Sequence, residues 1–262
     1  MEKVSVVLAD WQVLFREGVH FTLSGEEDIE VIGEVTSGEE ALNFIEANPP
    51  SVAILNSNRG EPSGIDITSR IKQNLPSVSV ILIMDNDSEE MLFSAMKSGA
   101  SACLTKETDP DALLNIIRKV AQGAYPISEA MLNPEIASRV VDEFENFSLI
   151  SKEVNNLLAC LSPREGEILR HIADGTSIEQ IASTLSINDE AIRHHLDLIL
   201  TKLVANDHSR KVIEATQSNL PSIVSRGRRA GKPEAEYITK DEFTEFKESL
   251  RERFRSLSGE LG

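Results

Sequence analysis

Helix start and stop signals in residues 161–203 constrain the fold of this chain more than any other feature. Ser162 is followed three residues later by Glu165, which is the spacing of a capping box that opens a helix. Gly175 has the backbone freedom that ends a helix, and Ser177 is a residue type that caps the next one. The sequence therefore predicts two short helices joined by a tight turn.

A third and longer helix is predicted for residues 190–203, because Ile192 and Leu196 begin an apolar series at helical spacing. Residues 186–189 form the turn before it. Two short helices, a tight turn and a longer helix make a helix-turn-helix, in which the last helix enters the major groove of DNA. We therefore expect residues 161–215 to form a DNA-binding domain.

This domain resembles the LuxR-type DNA-binding domain of the NarL/FixJ response regulators. The resemblance rests on Leu161-Ser-Pro-Arg-Glu165, Glu167-Ile-Leu169, Gly175-Thr-Ser177, Ile181-Ala182 and Ile192-Arg-His-His-Leu196 followed by Lys202-Leu203. It implies that Arg193 and His194 face base edges, that Ser177 and Lys202 hold phosphates, and that Asn188 assists them. For each of these five side chains, an ordinary position on a solvated helix surface is the alternative.

The charge of the chain is unusual for a protein that approaches phosphates. The net charge is −17, and residues 161–215 carry nine acidic and six basic side chains, a net charge of −3. Glu179 and Asp197 stand where members of the resembling family often carry basic or neutral residues, and both repel phosphate. We therefore expect weak nonspecific binding to DNA.

Residues 4–122 alternate between strand and helix patterns in five successive pairs. Such a series predicts an α/β fold with a doubly wound, five-stranded parallel sheet that helices cover on both faces. Sites in such sheets lie at the carboxyl ends of the strands.

This part of the chain resembles a response-regulator receiver domain. The resemblance rests on Val7-Leu-Ala-Asp10, Leu14-Phe-Arg-Glu-Gly18, Pro62-Ser-Gly64, Ala95-Met-Lys-Ser-Gly-Ala100 and Leu104-Thr-Lys106. It implies a magnesium-assisted phosphoryl-transfer site. That chemistry needs an aspartate nucleophile, acidic residues that hold a hard cation, and a hydroxyl and a lysine for the phosphoryl oxygens.

The matching positions do not provide this set of groups. The phosphoacceptor position holds Asn56, the acidic pair is reduced to Asp10 and Trp11, and the hydroxyl position holds Met84. Lys106 remains, and we expect it to pair with Asp10. We therefore predict a pseudo-receiver that is not phosphorylated. Either its site has decayed and only the fold is kept, or a small molecule or partner protein acts near Trp11, Asn56 and Met84.

The domain organisation follows from these patterns. The predicted parts are a receiver-like domain at 1–124, a helical linker at 125–160, the DNA-binding domain at 161–215, a flexible basic linker at 216–237 and a C-terminal amphipathic helix at 238–258. One side of that last helix is an apolar stripe formed by Phe243, Phe246, Leu250, Phe254 and Leu257. The stripe docks on its own chain or a second copy, or it binds another protein such as the transcription machinery.

The sequence is compatible with two functions. The first is a DNA-binding transcription regulator that binds promoter or operator DNA, most simply as a homodimer, without aspartyl phosphorylation. The second is a protein-interaction module with little DNA binding of its own.

An enzyme is not expected, because the sequence contains no phosphate loop, nucleophile–histidine pair or metal cluster, and we expect no cofactor. The two cysteines suggest no disulfide, and without a leader or apolar span the chain is expected to be cytoplasmic, with no membrane partner.

Overall fold

The computed structural model describes residues 3–57, 62–86, 88–153 and 158–218. The predicted helix at 238–258, with its apolar stripe, lies outside the described residues, as does most of the predicted linker before it. Residues 1–218 form one compact unit.

A five-stranded parallel sheet forms the N-terminal part. Its strands are β1 (Val4–Ala9), β2 (Ile29–Val35), β3 (Val52–Asn56), β4 (Ser79–Met84) and β5 (Ala102–Thr105). Their order across the sheet is β2-β1-β3-β4-β5. Every residue of β3 and β4 is buried, as expected for central strands with helices on both faces. The predicted doubly wound sheet is confirmed.

Five helices cover the sheet. They are α1 (Val13–Ser24), α2 (Gly38–Ala47), α3 (Gly64–Asn74), α4 (Glu89–Ser98) and α5 (Pro110–Ala121). Apolar residues of α1 and α5 share one hydrophobic cluster with one side of the strands, and residues of α2, α3 and α4 share another cluster with the other side. Gly64 brings the first turn of α3 close to the site end of β3, where an added Cβ would lie 2.1 Å from the carbonyl oxygen of Asn56.

The C-terminal part of the unit is helical. A short 3₁₀ helix, Pro126–Leu132, here called the linker 3₁₀ helix, is followed by α6 (Pro134–Glu153), α7 (Pro163–Ala173), α8 (Ile178–Leu185) and α9 (Asp189–Ser218). The predicted capping box at Ser162 and the predicted cap at Ser177 are present at the starts of α7 and α8, and Gln180 makes the cap at Ser177 a capping box as well. Ser186 takes a left-handed conformation, φ 53°, at the turn before α9. The predicted helix-turn-helix is confirmed.

Two helices are longer than the sequence patterns indicated. The predicted third helix ends at Leu203, but α9 continues without interruption to Ser218. Residues 189–218 contain neither glycine nor proline, so no residue forces the helix to end where the apolar pattern changes. Within the linker, the sequence pattern of residues 134–144 predicts a short amphipathic helix, but α6 extends to Glu153.

Candidate functional site

Asp10 and Asn56 meet at the carboxyl ends of two adjacent strands, β1 and β3. Asn56 donates from Nδ2 to Oδ2 of Asp10 over 2.9 Å. The other carboxylate oxygen, Oδ1, accepts from the backbone nitrogen of Gln12 over 2.7 Å. Asp10 and Asn56 are only 6% and 7% exposed. Both oxygens of the buried carboxylate are therefore used inside the protein.

Trp11 and Met84 complete the predicted site in different ways. Trp11 is 41% exposed and lines, with Asp10 and Asn56, a cavity of about 20 Å³. A cavity of this size holds about one water molecule. Met84 is buried at the end of β4 and supplies a thioether where the resembling family carries a hydroxyl. The cavity that these described residues line is too small for an organic ligand.

Lys106 does not pair with Asp10, and that prediction was wrong. Its ammonium group donates to Oε1 of Gln12 and to Oδ1 of Asp85, each over 2.5 Å. The indole ring of Trp11 lies 5.9 Å from the same nitrogen. Since Asp10 is already satisfied by Gln12 and Asn56, the acid that directly follows β4 takes the lysine.

Arg193, the predicted base-reading residue, is engaged by the linker 3₁₀ helix. Its guanidinium forms an ion pair with Glu129, and both side chains are about half exposed. One turn further along α9, Oδ1 of Asp197 accepts from the hydroxyl of Ser128 over 2.5 Å. His194 is exposed between these two contacts. The side of α9 that is expected to face DNA therefore contacts the linker in this structure.

The three residues that were predicted to contact DNA phosphates, or to assist there, have partners within the protein. Lys202 contacts both carboxylate oxygens of buried Glu165, over 2.7 and 2.9 Å. Asn188 caps α9 by accepting from the backbone nitrogen of Ala191 over 2.8 Å, and Ser177 caps α8. Each side chain therefore stabilises the helix-turn-helix, whether or not it also contacts DNA.

The pKa of Glu165 reflects this arrangement. Burial raises the pKa of the carboxyl, but hydrogen bonds from Lys202 and Ser162 outweigh burial and hold the pKa below its ordinary value. Glu179 also has a lowered pKa, because the hydroxyl of Ser177 donates to its carboxylate. The negative charge of Glu179 at the start of α8 is therefore retained, next to the expected phosphate position.

Two family models match the chain. A response regulator receiver domain matches residues 6–118, and bacterial regulatory proteins of the luxR family match residues 159–215. The transcriptional regulatory protein DegU of Brevibacillus brevis is 31% identical over 227 residues, which cover 82% of this chain and 94% of DegU. The chain belongs to the LuxR-type response regulators. It is a DNA-binding transcription regulator and not an enzyme.

This response regulator is also similar to a further full-length relative and to a solved receiver domain. The nitrate/nitrite response regulator protein homolog of Haemophilus influenzae is 31% identical over 209 residues, covering 80% of this chain and 93% of the homolog. Among solved structures, the receiver domain of NarL from Mycobacterium tuberculosis is 31% identical. It covers 47% of this chain and 99% of that domain, with a TM-score of 0.46.

Three residues that contact the predicted site residues of this response regulator were not predicted from its sequence. Asp85 was detectable as an acid directly after a predicted strand, the position where sites form in such sheets. Ser128 and Glu129 carried no local signal, because their partners on α9 lie more than 60 residues away in the chain.

Within the described ranges, no group of His, Cys, Asp and Glu could hold a metal ion. No described helix is long and apolar enough to cross a membrane.

Proposed function

We propose that this response regulator controls transcription without aspartyl phosphorylation. The observation that carries the proposal is the hydrogen bond from Asn56 to Asp10. Phosphoryl transfer to a receiver needs a carboxylate nucleophile, and a neutral amide that already donates to a neighbouring acid does not provide one. The second phosphoryl-binding group, Lys106, is held by Asp85. Asn56 and Lys106 are thus both paired with acids of the same chain.

A magnesium ion does not fit this edge of the sheet. Among the described residues that line the cavity, Asp10 supplies the only carboxylate, and both of its oxygens accept hydrogen bonds. Mg²⁺ binds through oxygen ligands in a nearly octahedral arrangement. Receiver domains of the kind that this part of the chain resembles have a second acid at the position of Trp11, and the indole provides no oxygen ligand. We therefore assign the ion no role in this chain.

The DNA-reading part of the proposal places Arg193 and His194 at base edges. Arg193 is long enough to grip guanine through two hydrogen bonds, worth about 1–3 kcal/mol of discrimination. Ser177, Asn188 and Lys202 would add phosphate contacts, with Ser177 at the positive end of α8. Because Arg193 pairs with Glu129 in this structure, specific binding requires α9 to leave the linker 3₁₀ helix. Paired half-sites on DNA favour a homodimer.

The experiment uses intact-mass measurement after incubation with acetyl phosphate and Mg²⁺. The wild-type chain is expected to gain no phosphoryl group. The variant Trp11→Asp/Asn56→Asp/Met84→Thr, which supplies the missing acids and hydroxyl, is the control and is expected to gain one. A phosphoryl group on the wild-type receiver, together with changed DNA occupancy, would end this part of the proposal.

DNA reading has a separate test. Duplexes selected by the full chain from a random library are titrated with wild-type protein and with Arg193→Ala. We expect the variant to lose selective binding while keeping its helical content. Unchanged selectivity would show that α9 reads DNA through other side chains.

A second candidate function is a protein-interaction module, and the ion pairs of the helix-turn-helix favour it. Arg164, Arg193, Lys202, Arg210 and Lys211 all pair with acids of the same chain. DNA phosphates must compete with these carboxylates. Retention on heparin and on random-sequence DNA at low salt, with and without residues 219–262, discriminates between the two. No retention of either form favours the second candidate.

A further inference from the structure

Helix α9 is a single rod that serves two parts of the molecule. Its 30 residues span about 45 Å at 1.5 Å per residue. The N-terminal half carries Arg193 and Asp197, which contact the linker 3₁₀ helix. The C-terminal half carries Asp207 and Arg210, which contact α4 and α6. A displacement of the C-terminal half is therefore transmitted to the half that carries the DNA-reading residues.

The C-terminal half is held by a group of charged residues from three elements. We call Lys97 of α4, Glu143 of α6, and Asp207 and Arg210 of α9 the interdomain ion cluster. Lys97 Nζ lies 3.0 Å from Oε1 of Glu143 and 3.5 Å from Oδ1 of Asp207. Arg210 lies 3.1 Å and 3.0 Å from the same two oxygens. Lys97 and Arg210 thus share two acids across the receiver, the linker and the DNA-binding helix, and Lys211 also pairs with Oδ2 of Asp207 over 2.8 Å.

This cluster differs from an ordinary surface ion pair. The side chain of Asp207 is only 2% exposed and that of Glu143 is 14% exposed. Pairs that are partly buried are screened less by salt than exposed ones, and removal of one partner leaves the other charge desolvated. The Lys97 ammonium also lies 5.3 Å from the ring of Phe93, and the Arg210 guanidinium lies 5.7 Å from the ring of Phe147. By comparison, the pair between Arg193 and Glu129 is exposed and contributes little.

We propose that the interdomain ion cluster, acting through the continuous helix α9, determines whether the DNA-reading side chains stay docked on the linker 3₁₀ helix. The effect of this cluster on DNA binding rests on the proposed function, in which α9 reads DNA. It assigns the controlling contact to the C-terminal half of α9, more than two helical turns from Arg193. An input that weakens the cluster releases Arg193 and Asp197 together, with no covalent mark.

The first test measures release without DNA. Amide hydrogen exchange is followed in residues 126–132 and 189–197 of the full chain, comparing wild type with Lys97→Met. We expect local opening to increase by about tenfold, the change caused by loss of one strongly coupled pair. Arg118→Met is the matched control, since Arg118 pairs with Glu26 and Asp28 outside the cluster. It should leave exchange in both segments unchanged.

A second variant covers the case in which Lys97→Met disturbs the receiver fold. Glu143→Gln removes the acid from the linker helix instead and should produce the same release. The double variant should open less than the product of the two single effects, because both remove the same contact. Wild-type exchange in folded Glu143→Gln, or independent effects in the double variant, overturns the proposal.

Titration of the selected duplex then separates this proposal from the proposed function. Increased exchange together with tighter DNA binding supports both. Increased exchange with no change in DNA binding leaves the cluster in control of docking and counts against DNA reading by α9. Unchanged exchange overturns the cluster proposal, whatever the DNA titration gives.

Discussion

Asn56 donates to Asp10 over 2.9 Å. The receiver resemblance implies that two carboxylates would face each other here in a chain with an aspartate phosphoacceptor. Two buried carboxylates at that distance repel each other, and at least one must bind a proton or a cation. The amide removes the repulsion and supplies a hydrogen bond as well. The receiver-like domain is therefore stable at this edge without a bound ion.

The variant Asn56→Asp tests this relationship. It replaces an attractive contact by a like-charge pair, and we expect a loss of about 1–3 kcal/mol at neutral pH. Saturating Mg²⁺ should recover part of that loss, because the ion binds between the two carboxylates. Thermal unfolding with and without Mg²⁺ provides the measurement. Asn115→Asp, an exposed change of the same chemistry on α5, is the control. Equal stability of wild type and Asn56→Asp would contradict the assigned role of the amide.

The architecture of both domains follows from the sequence because local signals agree with the fold. Apolar runs such as Val52–Asn56 alternate with amphipathic helices, and this alternation predicts a parallel sheet. Serines three residues before Glu165 and Gln180 mark where α7 and α8 begin. The residues at the edge of the sheet were also predictable, since the carboxyl ends of parallel strands meet there.

The partners of those residues were not predictable, because they depend on competition among contacts. Lys106 was expected to take Asp10, but Asn56 and Gln12 satisfy that acid, and Asp85 takes the lysine. Contacts between domains carry even less local signal. Asp207 is an acid within a helix of mixed charge, and its sequence environment does not indicate a cation from α4.

Glu129 and Arg193 should affect DNA binding in opposite directions. Glu129→Gln removes the acid that competes with DNA for the guanidinium, so we expect tighter binding. The pair is exposed and worth about 0.2–1 kcal/mol, so the gain should be roughly 1.5- to fivefold. The measurement is a titration of the selected duplex at fixed salt. Glu30→Gln, which removes an exposed acid from the edge strand β2, is the control for net charge. A larger gain in the control would indicate a general charge effect.

The two cysteines should differ in reactivity. Burial raises the pKa of the Cys103 thiol to about 12, whereas Cys160 is exposed. Since the thiolate is the reactive species, a thiol reagent at pH 8 should modify one cysteine rapidly in the native chain and both after denaturation. Absorbance of the released chromophore counts the thiols. Cys160→Ser should abolish the rapid phase, and a rapid phase that persists would place the accessible thiol on β5.

Glu165 should make the stability of the DNA-binding domain depend on pH. Burial raises the pKa of Glu165, but hydrogen bonds from Lys202 and Ser162 bring it below the ordinary value of 4.5. A carboxyl with a lowered folded pKa stabilises the fold above its unfolded pKa, and this contribution is lost as pH falls through the folded pKa. At pH 7 we expect Glu165→Gln to cost about 1.5–3 kcal/mol, because Lys202 loses a charged partner. The difference from wild type should shrink below pH 4.5, where Glu165 takes up a proton.

Denaturant unfolding followed by circular dichroism between pH 7 and pH 3 measures both chains. Glu167→Gln, which breaks only the exposed pair with Arg164, should cost far less at every pH. A difference between Glu165→Gln and wild type that stays constant with pH would mean that the ionised carboxylate is not what stabilises this helix start.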